Sequence, residues 1–157
     1  MARYSYKRAL DELKVYAESE GFKRVRFNAK DSKVSWMKGG LNEPKYLDIG
    51  SGMTLENQVY VMLHELGHHE LRKDWEWFSL RFPVAAHAEE VYMATKDKKY
   101  TRRTAFMVSC LEEEFLAWDE GLRLGIEMGI KVRMDKFIDI KSKCLKCYIG
   151  YYAQLKA

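Results

Sequence analysis

Nine consecutive residues, VMLHELGHH at positions 61–69, contain the pattern HExxH within an apolar stretch of the chain. On a helix, His64 and His68 lie four residues apart on one face, so both imidazoles can reach the same metal ion. Glu65 follows His64 directly and is close enough to take a proton from a metal-bound water. The pattern therefore predicts a helix that carries half of a zinc site with hydrolytic chemistry.

The surroundings of the motif favour a metal site over a chance match. The chain contains four histidines, and three of them fall within six consecutive positions. The preceding residues 59–63 are apolar enough to bury the helix. Since an unpaired polar group in a protein core costs a few kcal/mol, buried histidines and a buried glutamate call for a partner such as a metal ion.

The size and composition of the chain suit one globular domain. Its 157 residues are 47% hydrophobic and 13% aromatic, which is enough to build a core. We expect a single domain over 1–157, with a helix, a sheet and the motif helix in 1–72 and a helical part in 73–157. No run of 18 apolar residues and no secretory signal is present, which predicts a cytoplasmic protein without a membrane partner.

The cysteines and the net charge exclude several classes of protein. Cys110, Cys144 and Cys147 are too few for a disulfide framework, and the one CxxC lacks further zinc ligands, so apolar packing is the preferred interpretation. The net charge of +4 argues against a nucleic-acid partner. Two basic clusters are interpreted as solvated surfaces, with an acidic partner or substrate as the alternative. The clusters are Lys96, Lys98, Lys99, Arg102 and Arg103, and Lys141, Lys143 and Lys146.

The first part of the chain changes from a helical to a strand pattern. Apolar residues recur with helical spacing over 4–20, and Gly21 ends that helix. Alternation with period two then predicts three strands, at 22–29, 33–38 and 45–49. Turn-forming residues at 30–32 and 39–44 separate them, which predicts an antiparallel meander.

The rest of the chain is predicted to be helical. Thr54 can cap the motif helix at 55–72, and Pro83 suits the start of the next helix. The later helices are predicted at 84–96, 101–128 and 135–155. This order predicts an α+β fold with an N-terminal helix, a three-stranded antiparallel sheet, the HExxH helix and a helical C-terminal half.

A catalytic zinc needs a third protein ligand and an open position for water. Asp74 lies six residues after His68, the ligand position of a longer HExxH pattern, but Leu71 stands where that pattern needs glycine. His87 follows Pro83 and would coordinate if its helix crossed the site. Otherwise His87 is a surface histidine or one that only supports a ligand.

The run Glu112-Glu113-Glu114 offers the strongest candidate for the third ligand. Glu114 shares a helix row with small residues, which allow a close approach to another backbone. That row contains Cys110, Ala117, Gly121 and Gly125. Glu113 lies on a mixed face, and Glu112 shares a row with Asp119 and faces water. We therefore choose Glu114 and interpret Glu112 and Glu113 as solvated.

These residues resemble a known grouping of enzymes. His64-Glu65-x-x-His68 followed by Glu114-x-x-Ala117 resembles the gluzincin metallopeptidases, and the motif phrase is similar to small phage and bacterial ImmA/IrrE-type peptidases and minimal single-domain gluzincins. The resemblance implies a zincin-like fold, zinc held by His64, His68 and Glu114, and Glu65 as general base. It also implies that the strand at 45–49 is an edge along which a protein or peptide substrate lies as an added strand.

The chain departs from those relatives near Glu114. Many of them carry Asp or Asn directly after the small residue of the glutamate motif, where this chain has Trp118, and Asp119 comes one place later. The group that orients a histidine ligand is therefore unassigned.

The predicted activity is peptide-bond hydrolysis by a zinc metallopeptidase. The group that stabilises the oxyanion is left open among His87, Tyr92, Tyr100, Tyr148, Tyr151 and Tyr152. One alternative is a zincin-fold binding or regulatory protein with little or no peptidase activity, although zinc binding alone would not require Glu65. Another is a nucleic-acid-associated protease of the SprT-like kind, which normally uses a third histidine and often adds a basic or zinc-binding module.

Overall fold

The computed structural model describes residues 4–30, 33–36 and 45–155, which form six α-helices and three short β-strands. The helices are α1 (Tyr6–Ser19), α2 (Leu55–Arg72), α3 (Trp75–Arg81), α4 (Pro83–Thr95), α5 (Thr104–Glu127) and α6 (Met134–Gln154). The strands are β1 (Phe22–Ala29), β2 (Lys33–Trp36) and β3 (Lys45–Gly50). A short 3-10 helix, Tyr100–Arg102, precedes α5. The described chain is therefore mostly helical.

The small sheet has β3 at its centre. β1 pairs with β3 in parallel, with Val25 opposite Leu47, and β2 pairs with β3 antiparallel, with Val34 opposite Leu47. The predicted α+β zincin-like fold with a three-stranded antiparallel sheet is therefore wrong. Alternation along the sequence locates a strand, but it carries no information about which neighbour the strand joins or in which direction.

The pairing also corrects the predicted edge. β3, which includes the predicted strand 45–49, is hydrogen-bonded on both sides, so it cannot accept a peptide as an added strand. The predicted turn residues 31–32 and 39–44, and residues 37–38 of the second predicted strand, lie outside the described residues.

The main core lies where α1, the sheet, α5 and the start of α6 pack around α2. Leu13 and Ala17 of α1 meet Leu47 and Ile49 of β3 and the apolar side of α2 in one buried cluster. A second cluster joins α3 and α4 to Ala117 of α5. α2 is thus covered on several sides, which explains why twelve consecutive residues, 58–69, are buried.

Glu56 of α2 links three parts of this core. Its carboxylate accepts hydrogen bonds from Tyr6 of α1 at 2.9 Å, from Tyr60 at 2.8 Å and from Arg133 Nε at 2.7 Å. Arg133 directly precedes α6. This network fixes the start of α6 against α1 and α2. Among the described helices, none is both long and apolar enough to cross a membrane.

Candidate metal centre

The motif helix begins at a capped end and runs into the core. The Thr54 side chain accepts a hydrogen bond from the Asn57 backbone amide at 3.3 Å, which satisfies one of the free donors of the first turn. Two and a half turns further on, His64 and His68 are 6% and 9% exposed. The two histidines are therefore held on a rigid, buried helix.

Glycines bring α5 against α2 at this level. A Cβ on Gly67 would lie 1.9 Å from the Ala117 carbonyl oxygen, and one on Gly121 would lie 2.2 Å from the Leu63 carbonyl oxygen. The two backbones are thus in direct contact. Glu114 lies one turn before Ala117, so this crossing brings its carboxylate to the histidine face of α2.

The carboxylate of Glu114 lies between the two histidines. Glu114 Oε2 is 3.2 Å from His64 Nε2, and Glu114 Oε1 is 3.4 Å from His68 Nε2. One donor atom from each of the three residues lies within 4.8 Å of the other two. The group can therefore hold a metal ion.

Glu65 lies beside this group and is also buried, with 9% of its surface exposed. Burial is the main cause that raises the pKa of Tyr148 and of Cys144, both on α6, and the nearby charges of Glu114 and Glu65 add to it. Glu65 therefore lies near α6 as well as next to the donor group.

Glu113 orients one of the histidines, and its predicted solvent exposure is wrong. The residue is 4% exposed, and its Oε1 lies 2.9 Å from His68 Nδ1. Arg72 donates to both Glu113 oxygens, at 2.6 and 2.7 Å, and also to Glu89 of α4. This carboxylate is the orienting partner that the sequence left unassigned. Arg72 lies one turn after His68 on the same face of α2. This spacing was the feature of the sequence that could have predicted an arginine, and hence a carboxylate partner, beside the histidines.

The charges in this cluster favour a cation next to His68. Burial lowers the pKa of His68, but Glu113 and Glu114 outweigh burial and raise that pKa to about 10. Burial alone would raise the pKa of Glu114, yet the nearby His64 and His68 hold it below its ordinary range. The pocket therefore has negative charge that a proton or a metal ion can compensate.

Trp118 fixes the other histidine. Its indole ring stacks on His64 with ring centres 4.3 Å apart and planes 14° from parallel, and the residue is fully buried. His64 Nδ1 is buried and makes no hydrogen bond to the described residues. Ring stacking thus replaces the hydrogen-bonding partner that a histidine ligand usually has. Asp119 is exposed and binds Lys141, away from the histidines.

α6 covers one side of the site. Tyr148 interacts with the Glu114 carboxylate, and burial together with the charges of Glu114 and Glu65 raises its pKa. Of the six candidate oxyanion donors, Tyr148 is the one placed beside both carboxylates. Tyr152 instead pairs with Cys110 further along α5.

The rival ligands lie elsewhere. Asp74 caps α3 by accepting a hydrogen bond from the Trp77 amide at 3.0 Å. His87 is exposed and its ring lies against Tyr100. Glu112 is exposed, as predicted, and pairs loosely with Arg81. Within the described chain, none of these three belongs to the histidine group.

The three cysteines are free thiols. Cys144 packs against the main core, which fits the predicted apolar role, whereas Cys147 is exposed, so that interpretation is wrong for Cys147.

A second group, Glu20, His69 and Glu70, also has donor atoms within 4.8 Å. His69 Nε2 contacts Glu20 at 2.9 Å, while Lys73 and Arg123 pair with Glu70. These contacts already compensate the Glu20 and Glu70 carboxylates, so the group is an ion-pair network between α2 and the end of α1.

No protein-family model matches the chain, and no curated protein or solved structure matches it either.

Proposed function

We propose that the chain is a zinc-dependent peptidase, in which His64, His68 and Glu114 hold the metal and Glu65 is the general base. The single observation that carries the proposal is the convergence of two imidazole nitrogens and one carboxylate beside a buried glutamate. All four residues come from two helices whose backbones touch. Such an arrangement serves metal-assisted hydrolysis.

The donor set suits zinc. Two imidazoles with one carboxylate are a common protein ligand set for catalytic zinc, which keeps one position open for water. Glu114 Oε2 is buried and has no well-formed hydrogen bond within the described residues. A bound cation would satisfy this oxygen and the excess negative charge around His68.

When bound, zinc would supply a Lewis acid that makes water acidic near neutral pH and polarises the scissile carbonyl. Glu65 accepts the proton of the attacking water and delivers it to the departing amine. Its burial beside His64 keeps this carboxylate close to the donor group and shields the proton from bulk solvent.

Tyr148 is the proposed donor to the developing oxyanion. Its hydroxyl interacts with the Glu114 carboxylate from α6. A hydroxyl fixed there donates a hydrogen bond to the carbonyl oxygen as negative charge develops.

Glu113 and Arg72 are positioning residues. Glu113 accepts the Nδ1 proton of His68, which leaves Nε2 as the nitrogen that faces Glu114 and would bind a metal in place of a proton. Arg72 holds Glu113 through two charge-assisted hydrogen bonds.

The substrate in this proposal is a protein or peptide. Since both sides of β3 are occupied, strand addition would use the outer side of β2, which is the outermost strand of the described sheet on that side. The free cysteines favour a reducing compartment, as expected for a cytoplasmic enzyme.

The test compares wild type, Glu65→Gln and Glu112→Gln in a digest of denatured cellular proteins, with new peptide termini identified by mass spectrometry. Wild type and Glu112→Gln should cleave, because Glu112 is exposed and lies outside the site. Glu65→Gln should retain zinc and lose cleavage. A wild-type chain that holds zinc and cleaves nothing would refute the peptidase and favour a binding protein.

A further inference from the structure

One short segment accounts for the net positive charge of the chain. Residues 96–103, here called the basic segment, contain five cationic side chains and one anionic one. The cations are Lys96, Lys98, Lys99, Arg102 and Arg103. The segment as a whole, with Asp97 included, has a net charge of +4, which equals that of the whole chain, so the remaining residues balance to zero.

The cations of the basic segment are exposed, and no carboxylate of the described residues forms a salt bridge with them. Seven other described arginines, from Arg8 to Arg133, each pair with a carboxylate, whereas Arg102 and Arg103 do not. Asp97 uses one oxygen to accept a hydrogen bond from the Lys99 amide. The segment therefore offers charge that the described residues do not neutralise.

An aromatic ring orders part of this charge. Arg103 stacks over the Tyr100 ring at 4.5 Å, and Lys99 lies 5.9 Å from the same ring centre. His87 contacts the Tyr100 ring edge-on. Because Tyr100 is held between α4 and the start of α5, these cations lose less freedom when a partner binds.

The basic segment lies in line with the candidate metal centre. Arg103 is the residue that precedes α5, eleven positions before Glu114. Eleven residues are slightly more than three helical turns, so the Cα atoms of Arg103 and Glu114 lie on the same side of α5, about 16 Å apart along its axis. An extended peptide covers that distance with about five residues.

We propose that the basic segment binds an acidic stretch of the protein substrate, about five residues from the bond to be cleaved. This inference rests on the proposed peptidase function and names the substrate class of the same site. Charge complementarity raises the rate and the specificity of encounter with such a partner.

A short acidic peptide fits this surface better than nucleic acid does. A nucleic-acid-binding face needs cations spread along the path of the phosphate backbone. The five cations of the basic segment lie within eight residues, with Asp97 among them, and the rest of the chain is neutral overall.

The test measures binding without hydrolysis, using the Glu65→Gln chain and fluorescence anisotropy. The probes are a fluorescein-labelled peptide with six consecutive glutamates and the same peptide with six glutamines. The variant is Lys98→Glu with Arg102→Glu. The control is Lys7→Glu with Lys143→Glu, which makes the same change of net charge at residues that are 75% and 73% exposed.

The glutamate peptide should bind at least about tenfold more tightly than the glutamine peptide. The Lys98/Arg102 variant should lose most of that preference, and the control should keep it. Equal binding of both peptides, or equal loss in variant and control, would overturn the proposal. So would a 20-base-pair DNA duplex that displaces the peptide and loses affinity in the same variant.

The acidic docking site and the peptidase function can be refuted separately. A chain that cleaves neutral peptides but does not prefer the glutamate peptide refutes the acidic docking site alone. A chain that prefers the glutamate peptide but never cleaves refutes the peptidase and leaves the docking surface in place.

Discussion

Gly67 of α2 and Ala117 of α5 touch so closely that a Cβ on Gly67 would lie 1.9 Å from the Ala117 carbonyl oxygen. A second glycine, Gly121, makes the reciprocal contact with Leu63. This crossing brings Glu114, which lies one turn before Ala117, to the two histidines. The metal-capable group therefore depends on the crossing. Packing between two backbones therefore sets the geometry of the site.

Gly67→Ala should separate the two helices. The new Cβ meets a backbone oxygen, which cannot turn aside as a flexible side chain can, so the variant should lose about 3 kcal/mol of stability or more. Gly150→Ala is the control, because nothing lies within 4 Å of that added Cβ on α6. The control should gain about 0.5–1 kcal/mol from helix propensity. Urea unfolding measures both, and an equally stable Gly67→Ala would show that the crossing is looser than described.

Glu113→Gln should weaken metal binding without abolishing it. The carboxylate fixes His68 through Nδ1, and loss of such a partner typically costs about 10- to 100-fold in metal affinity. Competition with a zinc chelator measures the change. Glu112→Gln, at the neighbouring exposed position, should leave the affinity unchanged. Equal affinities for wild type and Glu113→Gln would remove Glu113 from the site.

Tyr148→Phe should slow peptide hydrolysis by about 100-fold in kcat, because removal of one oxyanion donor costs about that much. Zinc content should stay the same, since the tyrosine is not among the three metal-capable residues. Tyr151→Phe is the matched control on the same helix, at a residue that is 59% exposed. If both variants retain full kcat, the oxyanion donor is another group.

Glu56 should make stability depend on pH in the acid range. Hydrogen bonding from Arg133 is the main cause that lowers the pKa of Glu56 to about 2 from its ordinary value of 4.5, against the opposing effect of burial. As pH falls, the carboxyl group of Glu56 therefore takes up a proton in the unfolded chain before it does so in the folded chain. The stabilisation that the Glu56 hydrogen bonds provide is thus complete above about pH 5 and is lost as pH falls toward 2.

Glu56→Gln should accordingly have a lower urea midpoint than wild type at pH 7, with the difference shrinking as pH falls from 4.5 toward 2. Glu76→Gln, at an exposed glutamate, is the control and should show no such trend. A difference between Glu56→Gln and wild type that is constant over this range would contradict the shifted pKa.

Five of the six described helices could be predicted because their periodicity is local, whereas no helix was predicted for α3, whose seven residues are too few to show a period. The positions of β1, β2 and β3 followed from alternation in the same way. The pairing of the strands depends on tertiary packing. β3 lies between β1 and β2, parallel to β1 and antiparallel to β2. No local sequence pattern encodes this arrangement.

The candidate site was predictable where spacing alone decides it. His64, Glu65 and His68 share one helix, and the small residues around Glu114 indicated a close helix crossing, which the glycine contacts of α5 display. Glu113 was misplaced because its partners, His68 and Arg72, come from a helix more than 40 positions earlier. A mixed helix face cannot distinguish a solvated carboxylate from one buried against another helix.

His64, His68 and Glu114 are proposed to hold one catalytic metal. Elemental analysis of the purified chain after dialysis against metal-free buffer is the direct test of this proposal. We expect about one zinc per chain in wild type and in Glu65→Gln, and almost none in Glu114→Ala. A wild-type chain without metal, or a Glu114→Ala chain with the full amount, would contradict it.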